Sequence, residues 1–109
     1  METLLKQIKI GRNKGNARIW IENGTLAKYG FTRYTPIRVT FGETTNVILI
    51  TVNHDNSNGF TVAGRERGGK SISIIDICSQ KLTAFVAGAT TATVCYDDDI
   101  LLICIGATL

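Results

Sequence analysis

The sequence predicts a mainly β fold of the α+β class, made of two β-β-α-β-β repeats. Three observations carry this. Apolar and polar residues alternate with the two-residue period of a half-buried strand in ARIWIE (17–22) and SISIID (71–76). β-Branched runs bounded by turn residues recur at PIRVTF, NVILITV, TATVCY and DILLICI. The chain also repeats itself at an offset of 53 residues: Gly11-Arg12 falls on Gly64-Arg65, Lys14-Gly15 on Arg67-Gly68, Ile19 and Ile21 on Ile72 and Ile74, and VILITV on ILLICI. After a further shift of two or three residues, Leu26 matches Leu82, Tyr29 matches Phe85, Val39 matches Val94 and Phe41 matches Tyr96.

Taken in order, each half starts with an extended run, LLKQIKI (4–10) or GFTVA (59–63), followed by a Gly and Arg loop, GRNKGNAR or GRERGGKS. The alternating strand comes next. NGTLAKYGF and ICSQKLTAFVAGA are each long enough for two helical turns, with Asn23 and Asp76 as polar capping residues. Two β-branched strands close each half, separated by the turn residues GETT and DDD. HDNSNG (54–59) holds no apolar residue and reads as a linker between a first repeat, 1–53, and a second, 60–109. Neither half can bury its own apolar face, so the two complete one intertwined globular domain.

A chain of 109 residues buries about two thirds of the surface it exposes when unfolded, which suits one small domain. Its composition, 44% hydrophobic and 19% charged, is that of a globular protein. The apolar runs fall far short of the roughly 18 to 20 residues that span a bilayer, and METLLKQIK lacks a signal-peptide core. A cytoplasmic protein with no membrane partner is expected. Cys78, Cys95 and Cys104 have no C-x-x-C spacing, and His54 is remote from all three, so neither a metal nor a cofactor is expected. Cys95 and Cys104 lie in apolar runs and read as small buried hydrophobes. Asp97, Asp98 and Asp99 have the spacing of a hairpin tip and lack the alternating ligands of a calcium loop.

GRERGGKS (64–71) fits the letters of a phosphate-binding P-loop. A working P-loop leaves a strand and opens a helix whose first amides hold the phosphates, whereas these residues run into the alternating strand ISIIDI. Only 38 residues follow the motif, too few for the sheet and magnesium ligand of a nucleotide hydrolase. No nucleophile, base and orienting group can be assembled, so the chain is expected not to be an enzyme.

The charge is lopsided. Residues 1–53 hold eight Lys or Arg against three acids, and 54–109 hold four against six. Arg12, Lys14 and Arg18 of the first loop match Arg65, Arg67 and Lys70 of the second, and on one face six such cations could follow a nucleic-acid backbone. Phe31, after Gly30, reads as core, while Trp20 and Tyr34 are the aromatics whose contact with a ligand is open.

The Gly-Arg loop, the alternating strand, the short helix ending in Gly-Phe and the closing hairpin resemble the SpoVT/AbrB-type swapped-hairpin superfamily, which includes the MazE and MraZ groups. The closest likeness is to SymE-type toxin proteins, in IWIENGTLAKYGF, TRYTPIRVTF and NVILIT, where Ile19, Ile21, Leu26, Gly30 and Phe31 occupy the family's apolar and glycine positions. The chain departs from that pattern at Tyr34, where the family has glycine. The resemblance implies a pseudo-two-fold barrel of interdigitated hairpins that grips DNA, in transcription regulation or a toxin-antitoxin or mobile-element setting. Arg12 and Arg65 match the family's arginine.

The first functional expectation is a nucleic-acid-binding module, DNA before RNA, with Arg12, Lys14, Arg18, Arg65, Arg67 and Lys70 on phosphates. The second is a protein-interaction module, such as a phage or mobile-element inhibitor of a host or defence complex, whose basic loops meet an acidic surface. A homodimer is compatible with both.

Overall fold

A computed structural model describes residues 2–55 and 60–107. The elements are β1 (Leu4–Lys9), β2 (Gly11–Asn13), β3 (Asn16–Glu22), α1 (Thr25–Lys28), β4 (Ile37–Phe41), β5 (Val47–Val52), β6 (Ala63–Arg67), β7 (Lys70–Cys78), α2 (Gln80–Val86), β8 (Thr91–Asp97) and β9 (Ile100–Ile105). They form two antiparallel sheets. Sheet A has the order β1-β8-β9-β5-β4, and sheet B the order β2-β3-β7-β6. At the centre of sheet B, β3 pairs with β7 from Arg18 opposite Cys78 to Glu22 opposite Ile74. At the centre of sheet A, β5 pairs with β9 from Val47 opposite Cys104 to Thr51 opposite Ile100.

In β3 the alternation read from the sequence sets which side chains go inside; in β7 it does not, because the register puts Ile72 and Ile74, matched in sequence to Ile19 and Ile21, on the outer face and turns Ser73, Ile75 and Ile77 inward. In β3, Ala17, Ile19 and Ile21 are buried, whereas Arg18, Trp20 and Glu22 face outward. Ile48, Ile50, Val94, Tyr96, Leu101 and Ile103 point from sheet A into the same core and are fully buried. Phe31 is buried with them, as its position after Gly30 predicts. Burying a side chain of this size stabilises a fold by about 1.5–3 kcal/mol, so the two inner faces hold the sheets together.

Three expectations about elements are corrected. The Gly-Arg segments are strands rather than loops: β2 and β6 contain them, and only Lys14-Gly15 and Gly68-Gly69 turn. All four turn residues have positive φ, the two-residue turn that matches the twist of a hairpin. The run GFTVA is not a strand over its described residues, since Thr61 makes one isolated bridge to Pro36 and β6 begins at Ala63. Asn56–Gly59 of the linker lie outside the described residues. Asp76 does not cap a helix. It sits within β7, and the cap of α2 is Ser79, whose Oγ accepts from Leu82 N at 3.0 Å. Asn23 stands one residue before the N-cap of α1, Gly24, and its Oδ1 accepts from Leu26 N at 3.0 Å.

The barrel expected from the family resemblance does not close. Sheet A ends at β1 and β4, sheet B at β2 and β6, and neither sheet pairs ladder to ladder with the other. On one side the chain crosses between sheets at Ile10, whose N–H donates to Thr90 O at 2.8 Å. On the other side Ile37 N donates to Phe60 O and Val62 N to Thr35 O, both at 2.9 Å, around an isolated bridge between Pro36 and Thr61 that does not extend into a ladder. No helix among the described residues is long and apolar enough to cross a membrane.

Candidate nucleic-acid interface

The six cations singled out in the sequence all lie on sheet B, on its two outer hairpins. β3 and β7 are antiparallel, so the hairpin tips stand at opposite ends of the sheet instead of side by side. The nine residues of β7 span on the order of 30 Å at ~3.3 Å per residue, and because Arg18 is opposite Cys78 the Lys14 turn stands beyond that end, within the molecule's longest dimension of 37 Å. Lys14 stands at one tip, with Arg12 beside it. Arg67 and Lys70 face one another across the other tip.

Face assignment follows from register. Arg18, opposite Cys78 and outward, shares its face with Arg65, Arg67 and Lys70 through Ile72 and Ile74. Arg12 pairs with Ala17, whose side chain is buried, so Arg12 leaves the sheet on the opposite side at the exposed edge strand.

The middle of that outer face is self-neutralised. Arg18 makes a two-pronged contact with Asp76, Nε to Oδ1 at 2.9 Å and a terminal nitrogen to Oδ2 at 3.0 Å. This hydrogen bond raises the guanidinium pKa above its ordinary value, so Arg18 is charged but already partnered. Its guanidinium lies 4.4 Å from the Trp20 ring centroid, a cation–π stack, and the Trp20 indole N–H donates to Glu22 Oε1 at 3.1 Å. Glu22 in turn pairs with Arg65. Asp76, Arg18, Trp20, Glu22 and Arg65 therefore form one continuous side-chain string across three strands. Trp20 stays 42% exposed, but its face is occupied by Arg18 rather than open to a base.

Arg12, Lys14, Arg67 and Lys70 have no acidic partner among the described residues. The sequence placed these cations but gave no sign that Arg18 and Arg65 would be neutralised, because Asp76 lies 58 residues from Arg18 and only the β3–β7 register unites them. The Arg18, Trp20, Glu22 spacing did carry a signal, since alternate residues of one strand share a face.

A second feature lies on the inner side of the β6–β7 hairpin. A cavity of about 430 Å³ is lined by Thr32, Arg33, Tyr34, Glu66, Ser71 and Ser73 among others. Arg33 crosses to Glu66 at 3.2 Å and stacks 4.9 Å from the Tyr34 ring centroid. Tyr34 has φ of 74°, a left-handed conformation that favours glycine, which is the residue the family resemblance expects there. No group of three His, Cys, Asp or Glu suited to a metal ion occurs among the described residues.

No protein-family model, curated protein or solved structure matches this chain.

Proposed function

We propose that the chain is a non-enzymatic nucleic-acid-binding module, of DNA before RNA, that contacts phosphates through the two ends of sheet B. The observation that supports this reading most is the division of the cations. Arg18 and Arg65 are partnered in the middle of the sheet, whereas Arg12 and Lys14 at one tip and Arg67 and Lys70 at the other have no acidic partner among the described residues. A separation of more than the length of β7 and within the 37 Å length of the molecule is close to one turn of B-form DNA, about 34 Å, so both tips can reach backbone on the same side of a duplex. Phosphate contacts made in this way position a protein without reading sequence.

A pseudo-two-fold swapped-hairpin arrangement underlies the proposal. It is supported by the pairing of corresponding strands with each other, β3 with β7 and β5 with β9, and by the full burial of the matched pair Leu26 and Leu82. Duplex DNA titrations across salt concentration test the function. Four phosphate contacts predict a log–log slope of roughly −3.6, at about −0.9 per contact, and Arg67→Ala with Lys70→Ala reduces it by about half. Absence of binding at low salt overturns the reading and leaves the protein-interaction module, in which an acidic protein surface meets the same tips.

A further inference from the structure

No helix or strand among the described residues covers the outer face of sheet A, and only at one end do the residues after β9 lie on it, where Thr93 is buried and donates its Oγ1 hydrogen to Ala107 O at 3.0 Å. Both helices make their main contacts with sheet B. One register row runs Leu5, Cys95, Leu102, Leu49 and Thr40 across all five strands. Leu5, Ile100 and Leu102 are 52%, 38% and 36% exposed. In the next row Val47 and Cys104 extend the apolar area on the β5 and β9 side, and Thr93 and Gln7 bound it on the other. This resolves a peculiarity of the sequence. VILITV and ILLICI do not alternate as strands with one solvated face do, but are apolar on both faces, the pattern of strands covered on both sides. An uncovered apolar patch of this extent marks an interaction surface.

The charges around the rim indicate what covers it. At one end of the sheet, Asp97 on β8 and Arg38 on β4 belong to one row through Ile100 and Thr51. At the other end stand Lys9 on β1 and Glu43 in the turn between β4 and β5. The signs therefore alternate around the four corners. Such a face is complementary to itself: a two-fold axis in its plane, along or across the strands, brings every corner over one of opposite sign. Arg38 also contacts Asp55 at 3.5 Å, but both side chains are more than half exposed and the pair contributes little.

We propose that a second copy of this chain covers the face, sheet A against sheet A, about such an axis, with Leu102 near the centre and the charged corners fixing the register. The two sheets stack about 10 Å apart, as aligned sheets do. Strands about 4.8 Å apart and six residues long offer roughly 500 Å² per copy, or roughly 1,000 Å² in all. That is the lower end for a specific contact and predicts a dimer that dissociates in the micromolar range. The proposal is independent of nucleic-acid binding.

Sedimentation equilibrium of the full chain without nucleic acid, from about 5 to 500 μM, tests it. We expect a monomer–dimer equilibrium. Leu102→Thr, on an outward position that the core does not use, weakens it at least tenfold while the circular dichroism spectrum is unchanged. Arg38→Glu alone also weakens it. With the axis along the strands, Arg38→Glu with Asp97→Arg restores it; with the axis across them, Lys9→Glu with Asp97→Lys does so. A dimer indifferent to Leu102→Thr, or failure of both double reversals, overturns the proposal. So does a chain that stays monomeric throughout, which leaves a foreign protein or a membrane surface as the occupant.

Discussion

At Gly30 the backbone has φ of 99°, and a Cβ built there would stand 2.0 Å from Asp99 Oδ1. The residue closes α1: Gly30 N donates to Ala27 O and Phe31 N to Leu26 O, the paired bonds of a glycine-terminated helix. Asp99 N donates to Tyr29 O at 2.7 Å, so the same residues tie the helix end to the β8–β9 turn. Gly30→Ala is expected to cost about 1–3 kcal/mol by urea unfolding, from the unfavourable φ and the displaced Asp99. Gly24, with φ of −72° and nothing within 4 Å, is the control, and Gly24→Ala should change stability by no more than about 0.5 kcal/mol. Equal losses at both positions would contradict the account. Tyr96 is fully buried, and burial pushes its phenol pKa above the ordinary value, although the hydrogen bond from Asn23 opposes the shift. A raised folded pKa means that the folded state keeps its proton when the unfolded chain has lost it. The contribution is therefore complete below the unfolded value of about 10 and is lost as pH rises through the folded value. Thermal melts between pH 8 and 11 should fall at the alkaline end, and Tyr96→Phe should flatten that fall while lowering stability at pH 8 through loss of the Asn23 bond.

Among the elements, α2 packs on β3 through the buried Leu82 and Val86, and Thr83 adds a hydrogen bond to the β2–β3 hairpin. β7 ends at Cys78, opposite Arg18, so the N–H of Ala17 projects beyond the last strand partner. Thr83 Oγ1 accepts it at 2.8 Å. Thr83→Val keeps the shape but leaves that amide without an acceptor, and should cost about 1–3 kcal/mol in chemical denaturation. Thr83→Ser, which retains the oxygen, should cost less. The existence of the strands was legible from β-branching, and the buried face of β3 from its alternation; the buried face of β7 was not, because three consecutive positions, Ser73, Ile74 and Ile75, are buried and mask the period. The Gly-Arg hairpins were not, because β2 is exposed at every position and β6 at nearly every one, which removes the apolar period by which a strand is recognised. The cap of α2 was misplaced for a similar reason: strand β7 runs two residues past Asp76, and Ser79 supplies the hydroxyl instead. Of the candidate interface, the identity of the cations was legible, but which of them are free was not. Ion pairing between Arg18 and Asp76, or between Arg65 and Glu22, depends on tertiary register that no local pattern encodes.

For the molecule as a whole, three strand pairings among the described residues join distant parts of the chain and carry both sheets across the two halves. β1 pairs with β8, β3 with β7 and β5 with β9, while β2–β3, β4–β5, β6–β7 and β8–β9 are local hairpins. Fragments 1–53 and 60–109 are each expected to lack a sharp thermal transition and to regain one when mixed at equal concentration, a result that circular dichroism can read. A fragment that melts cooperatively alone would show that its half folds without the other. The same pairing has a consequence during synthesis. β1 leaves the ribosome first, yet its partner β8 begins at Thr91 and the strand that completes sheet A ends at Ile105. At about 5–20 residues per second, the first half waits several seconds or more for the strands that complete its sheets. VILITV, apolar on both faces, is exposed throughout that delay. Newly made chains should therefore depend on a holding chaperone until translation ends, and slowing translation within β7 to β9 should lower soluble yield more than slowing it within β1 to β4.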